Sequence, residues 1–449
     1  MTAPARVAAY HALRAIEGGR ADLPAALATS RQHLSDERDR ALAAEIVIGT
    51  LRWQRSLDQL IEHFSKRALS QIDPEVGSIL RLSLYQLLHL DRVPASAVVD
   101  DAVDLTRGAR KPSAAGFVNA VLRSTLRQRH RVPFPPRPDD DADPQAIVEY
   151  LAVTHSHPDW LIWRWLGRYG FACVERWVQF NNETPSLTIR ANTLRVTRDE
   201  LAAALARDGI ETRPTRHAPH GLTVIDGNPL RRLPDGSFVV QDEASQLVAL
   251  AVGAQPGERI LDLCASPGGK ATAMAAAMRD TGAVIACDVR GRRVTLLGET
   301  VRASGAKHIH VAHVATRGAL PFSAAFDRVL VDAPCSGLGT VRRDPDVKWR
   351  RQESDLSTFA DDQGVLLARA ATVVKPGGRL VYATCSSEPE ENEMVVSAFL
   401  SRHRNFALAD LRSVGQLPAD IVDARGMMRT LPFAHRLEAF FAAALERTR

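Results

Sequence analysis

Cysteine is scarce and scattered in this chain: five residues, at positions 173, 264, 287, 335 and 385, with no CxxC pair and no Cys/His spacing of a zinc site. An odd, unpatterned set suggests neither a disulfide framework nor a structural metal. Long apolar runs are missing too. No stretch reaches the roughly 20 residues of a membrane-spanning helix, and the opening Met1-Thr-Ala-Pro-Ala-Arg-Val-Ala-Ala-Tyr10 has no secretory apolar core. The expectation is a soluble, cytoplasmic protein without a membrane or metal partner, with a monomer as the default. Charge of one sign is not abundant either: 57 Lys and Arg against 52 Asp and Glu leave a net +5, which permits a polyanionic partner without requiring one. No repeat of fixed period interrupts the chain.

What remains is an ordinary globular composition. With 449 residues, 45% hydrophobic and 24% charged, the prior is two to four domains at about 100 to 200 residues each. From Val7 to about Gln128 apolar residues recur at helical spacing, as in Ile79-Leu-Arg-Leu-Ser-Leu-Tyr-Gln-Leu-Leu-His89, so the first domain, residues 1–131, is expected to be all helical. Arg131 to Pro144 carries five prolines and an acid cluster and reads as a linker over 132–145. Residues 146–236 mix helical signals at Trp160 to Phe180 with strand-like Ser186–Arg190 and an amphipathic run from Asp199 to Asp208, a small α+β unit. Over 237–449 short apolar strands alternate with glycine turns and helices: Arg259–Leu263, Ala283–Cys287, Arg328–Val331, Arg379–Tyr382. That alternation implies an α/β domain, a mostly parallel sheet covered on both faces.

Ligands of such sheets bind beyond the carboxyl ends of the strands. The first strand runs into Asp262-Leu-Cys-Ala-Ser-Pro-Gly-Gly-Lys270, where Gly268 and Gly269 let backbone approach a ligand, and the second ends in Asp288, placed to accept from ribose hydroxyls. The turn lacks the Walker spacing before its lysine. A glycine turn alone could be structural; with Asp288 at the next strand end a nucleotide-cofactor pocket is the better account. Two further strands end in Asp332-Ala-Pro-Cys-Ser-Gly337 and Tyr382-Ala-Thr-Cys-Ser-Ser387. A free cysteine is more often an inert buried hydrophobe, and Cys173, Cys264 and Cys287 fit that description. Cys335 and Cys385 instead leave strands at the binding edge, flanked by small residues or proline. Two thiols at the rim of a cofactor pocket suggest covalent activation of a weakly reactive ring followed by group transfer.

Leu261–Lys270, Asp327–Gly337, Arg342-Arg-Asp-Pro-Asp-Val-Lys-Trp-Arg350 and Tyr382–Glu393 resemble, in order, the motifs of the RsmB/Sun family of RNA cytosine carbon-5 methyltransferases. Phe117-Val-Asn-Ala-Val-Leu-Arg123 is similar to the NusB-like RNA-binding domain of the bacterial small-subunit rRNA branch, and Ser156–Trp160 and Leu187–Asn192 to the segment before the catalytic domain. The resemblance implies a Rossmann-like S-adenosylmethionine-dependent domain behind a small α+β RNA-binding subdomain and a NusB-like domain. It implies Cys385 as nucleophile, Cys335 as the group assisting product release, and Asp332 on the amidine edge of the cytosine. It places the cofactor on Cys264, Ala265, Ser266, Pro267, Gly268, Gly269, Lys270 and Asp288, with Asp332 near the transferring end.

Two positions depart from the family pattern: His313 stands where an acid usually meets the adenine, and Leu437-Glu-Ala-Phe-Phe-Ala442 replaces Asp-Gly-Phe-Phe. The RNA partner implied is ribosomal, its cytosine single-stranded or flipped out of a stack. The alternatives are a transfer-RNA cytosine methyltransferase and a non-catalytic NusB-like RNA-binding factor; both cysteines and Asp332 argue against the latter. The basic residues Arg342, Arg343, Lys348, Arg350 and Arg351 could track a phosphate backbone or form a solvated charged face.

Overall fold

The computed structural model describes residues 2–230, 236–323, 325–414 and 417–448. The chain forms two compact units, Met1–Glu183 with Val341–Glu353, and Thr184–Thr340 with Ser354–Arg449.

The first unit is helical, as the 3.6-residue periodicity predicts. Helices Pro4–Glu17, Leu23–Gln32, Glu37–Arg52, Gln54–Ser65, Pro74–His89, Ala95–Gly108 and Ala115–Arg127 bury one core that includes Leu13, Ile46, Leu57, Leu80 and Leu122. Asp22 and Asp36 start the second and third by accepting from Ala25 N and Arg38 N. Gly49 lets two of these helices touch, because a Cβ there would lie 1.8 Å from the Tyr85 ring. The proline-rich stretch is non-helical until Pro144, which opens helix Pro144–Glu149; Asp159–Tyr169 and Phe171–Asn182 follow.

The segment Val341–Glu353 is remote in sequence yet packs in this first unit. The ammonium of Lys348 is fully buried and donates to Arg52 O (3.0 Å) and Ser156 O (2.5 Å). Trp349 Nε1 donates to Leu51 O at 2.6 Å, Arg52 Nη2 donates to Arg342 O, and the Arg342 guanidinium lies 4.0 Å over the Phe180 ring. This corrects one expectation: Lys348 does not reach a phosphate backbone. Its four-carbon stem and three donors fill an interior site instead, where two carbonyls would otherwise be unpaired.

The second unit holds two sheets built from β1 Thr188–Ala191, β2 Glu211–Pro214, β3 Gly221–Asp226, β4 Phe238–Val240, β5 Arg259–Asp262, β6 Ala283–Asp288, β7 Ile309–His313, β8 Phe326–Asp332, β9 Val374–Thr384, β10 Phe406–Ala409, β11 Met428–Arg429 and β12 Phe441–Arg447. The smaller is antiparallel in the order β2-β3-β1-β4. The larger runs β10-β12-β9-β8-β5-β6-β7, with β11 beside β12; the five strands from β9 to β7 are parallel. Apolar residues cover both faces of this sheet, Ile260, Val284 and Leu330 on one and Leu261, Val329 and Val331 on the other. The chain runs outward from β5 to β7, then returns to β8 on the other side of β5. That reversal is the topological switch point, where open α/β sheets bind their ligands. The alanine-containing Leu437–Ala442 stretch does not disturb the final strand, which pairs with β9 from Phe441 onward.

Candidate active site

At the switch point, β5 ends in Asp262 and β8 in Asp332. A cavity of about 450 Å³ opens here, lined among others by Gln241, Asp242, Asp262, Ser245, Thr300 and Asp332. Of the residues expected to hold a cofactor, Cys264, Ala265, Ser266, Pro267, Gly269, Lys270 and Asp332 line it. Gly268, Asp288 and His313 do not. Gly268 has φ of 112°, and a Cβ there would meet Leu297 Cδ1 at 3.0 Å and Thr300 Cγ2 at 3.1 Å, so the turn needs glycine on both counts. Asp288 is buried at the end of β6, its Oδ1 accepting from Arg290 N at 3.0 Å. His313 is exposed at the end of β7, its Nε2 3.1 Å from Val289 O.

Asp262 was not singled out as a site residue in the sequence, yet it is the most perturbed acid of the cavity. It is fully buried, and no side chain hydrogen-bonds to either carboxylate oxygen; only the Cys264 amide approaches them, outside ordinary hydrogen-bond geometry. Burial, followed by the neighbouring Asp332 charge, pushes its carboxyl up to about 7, with Lys270 and the Cys264 amide pulling the other way. Lys270 Nζ donates to Asp332 Oδ2 at 2.7 Å. Burial would lower the Lys270 ammonium, but Asp332, with Asp262 and Cys385 behind it, outweighs burial and the net shift is upward. Gln241, Asp242 and Ser245 were also missed. Asp242 reads as the N-cap of helix Glu243–Val252, accepting from Ala244 N at 2.8 Å, and a capping signal conceals any second role.

The two cysteine turns leave adjacent parallel strands, with Asp332 of β8 paired in register with Ala383 of β9. Ala333 N donates to Ala383 O at 2.8 Å and Gly339 N to Cys385 O at 3.0 Å, and the Cys335 and Cys385 sulfurs come within 3.2 Å. Gly339 permits that approach: a Cβ on it would sit 1.9 Å from Ala439 O and 2.8 Å from Cys385 O. The Cys335 thiol is raised well above the ordinary value by its hydrogen bond to Cys385, by burial, and by the nearby Cys385 and Glu391. Cys287 and Cys264 are raised chiefly by burial, Cys287 to about 12; Cys287 is an interior thiol, whereas Cys264 is half-buried at the cavity wall. Cys173 lies in helix Phe171–Asn182 of the other unit. Among the described residues no cluster of His, Cys, Asp or Glu could hold a metal, and no helix is long and apolar enough to cross a membrane.

Three comparisons with known proteins bear on this geometry. The crystal structure of PH0851 superposes with a TM-score of 0.80 at 27% identity over the full length of both chains. A methyltransferase homolog from Pyrococcus horikoshii gives 0.57 at 25% identity, over 68% of this chain and all of its own. With the acid-lined cavity at the switch point, these likenesses give the chain the fold of a methyltransferase. Family models match 16S rRNA methyltransferase RsmB/F over residues 249–446, NusB over 3–127 and the RsmF/B-like ferredoxin-like domain over 157–231. The probable ribosomal RNA small subunit methyltransferase B of Bacillus subtilis is 35% identical over 92% of each chain. The Pseudomonas syringae ribosomal RNA small subunit methyltransferase B is 33% identical over 94% of this chain and 92% of its own. The chain belongs to the RsmB/F family of RNA methyltransferases.

The cavity suits the cofactor this family uses. A sulfonium is a cation, and the lining offers Asp262, with both oxygens unpartnered, together with Asp332 and Asp242. The Cys264–Lys270 turn would carry the nucleoside side, with Gly268 keeping the turn tight.

Proposed function

We propose that this protein methylates carbon 5 of a cytosine in small-subunit ribosomal RNA through a covalent adduct on Cys385, in the cytoplasm where ribosomes are assembled. The observation that carries the reading is the 3.2 Å approach of the Cys335 and Cys385 sulfurs, at the ends of adjacent strands and one turn from Asp332. Carbon 5 of cytosine is a poor nucleophile. Addition of the Cys385 thiolate to carbon 6 moves the ring's electron pair toward carbon 5 and makes it enamine-like. Bound S-adenosylmethionine supplies the electrophilic methyl group. Transfer of the carbon 5 proton to a water molecule then restores the ring double bond, breaks the sulfur–carbon 6 bond and returns its electron pair to Cys385. Cys335 assists that release from its place beside Cys385. Asp332 holds the amidine edge of the base, and its contact with Lys270 orients it. A base must leave its stack to reach such a pocket.

The names of the full-length relatives support a small-subunit ribosomal target. Bisulfite sequencing of RNA from cells with and without the gene tests it. One cytosine of the small-subunit RNA should resist conversion only when the gene is present. Protection confined to transfer RNA, or unchanged by the deletion, would refute the assignment.

A further inference from the structure

Behind the two thiols lies a carboxylate that the mechanism above does not use. Glu391 closes the short turn Pro389–Glu391 after β9 and is fully buried. Its Oε1 accepts from Ser336 N (2.7 Å) and Gln363 Nε2 (3.1 Å), and its Oε2 from Ser336 Oγ (2.5 Å) and Ser386 Oγ (2.5 Å). Ser336 follows Cys335 in the chain, and Ser386 follows Cys385, so one side chain bonds to both turns at the residue next to each sulfur. The bracket is itself braced. Gln363 also donates to Pro334 O at 3.0 Å, Tyr382 OH donates to Glu391 O at 2.5 Å, and Asn392 Nδ2 donates to Ser386 O at 2.9 Å. Four donors take the place of water around a buried carboxylate, which is what an ionised group needs there. An anion so placed also opposes negative charge on Cys335, whose thiol the Glu391 charge helps to hold up.

We propose that Glu391 is a positioning residue of the methyl-transfer reaction: its carboxylate fixes the separation of the two sulfurs and keeps their shared proton on Cys335, leaving Cys385 as the attacking thiolate. This rests on the covalent reading and extends it. Two other groups act on the thiol pair, the Tyr382 hydroxyl on Cys335 and the Lys270 ammonium, itself held by Asp332, on Cys385.

The test uses the full-length protein and its Glu391→Gln variant, which keeps the side chain's size and removes its charge, with Glu391→Ala in parallel. Alkylation of Cys335 and Cys385 by iodoacetamide is followed against pH by mass spectrometry, beside kcat and KM for RNA and S-adenosylmethionine affinity. In Glu391→Gln the Cys335 profile moves to lower pH, and its alkylation at a fixed pH rises about tenfold for a profile displaced by one pH unit. The kcat falls by at least that factor, while KM for RNA and cofactor affinity stay within about twofold of wild type. An unmoved Cys335 profile overturns the proposal even if kcat falls, because loss of structure alone would do that. An unchanged kcat overturns it as well. If Cys385→Ala retains methyl transfer while the Glu391→Gln profile still moves, the covalent reading fails and the bracket stands.

Discussion

Asp262 offers a sharp test of the cavity, because the same buried carboxylate must weaken the ligand-free protein and strengthen the complex. Its carboxyl rises from an ordinary 3.8 to about 7 on folding, chiefly through burial and the Asp332 charge. The native state therefore binds the proton more tightly than the unfolded chain, so stability is lost as pH rises from about 4 to 7 and stays lower above that. A gap of this size corresponds to about 4 kcal/mol. Asp262→Asn removes the charge and should stabilise the ligand-free protein at pH 8 by up to that amount, with little change near pH 4. Cofactor binding has the opposite dependence. A cation entering beside Asp262 favours the ionised form, so wild-type affinity for S-adenosylmethionine should rise through pH 7 with release of a proton, and Asp262→Asn should bind more weakly and without that slope. Denaturant titration across pH 4 to 8 and calorimetry in two buffers of different ionisation enthalpy read both. A wild-type affinity flat with pH, or an asparagine variant that binds as tightly, would refute this role for Asp262.

Asp288→Ala removes an acid proposed to accept from the ribose hydroxyls and should weaken cofactor binding by about 1.5 to 3 kcal/mol in calorimetry; unchanged affinity would show that Asp288, which does not line the cavity, serves its own chain at Arg290 and Arg293 instead. RNA affinity should fall steeply with salt as lysine and arginine contacts release counterions, and a filter-binding series at several ionic strengths gives the slope. Deleting residues 1–135 should weaken RNA binding and also strip Val341–Glu353 of its partners at Leu51 and Arg52. Limited proteolysis should then cut the truncated chain between Val341 and Glu353 while sparing that segment in the whole protein.

The fold was largely legible because its signals are local. Helical periodicity in the first 128 residues and the strand–turn–helix alternation after Ala244 each repeat over enough residues to survive single exceptions, whereas two strands of the small sheet, Glu211–Pro214 and Gly221–Asp226, are too short or too exposed to announce themselves. The candidate site was legible where chemistry coincided with a strand end or the turn after it, as at Asp332, Cys335 and Cys385. Other features were not, among them Lys348, Asp262 and Glu391. Lys348 looked like a surface cation because nothing in its neighbours announces that the chain there is folded into a remote helical core. Asp262 looked like the last residue of a strand, and only the cavity shows both its oxygens unpartnered. Glu391 sat in an acidic run, Glu388-Pro-Glu-Glu-Asn-Glu393, whose members are indistinguishable until hydrogen bonds to Ser336 and Ser386 pick one out.

In the proposed mechanism two adjacent thiols act in sequence on one cytosine, and electrophoresis of the two single variants with substrate RNA and S-adenosylmethionine tests this most directly. Cys385→Ala should abolish methyl transfer and leave no protein–RNA species under denaturing conditions. Cys335→Ala should still form the adduct and accumulate it, because addition and methylation proceed while release stalls. An adduct in Cys385→Ala and none in Cys335→Ala would reverse the two roles, and methylation retained by both variants with no adduct in either would contradict the covalent mechanism itself.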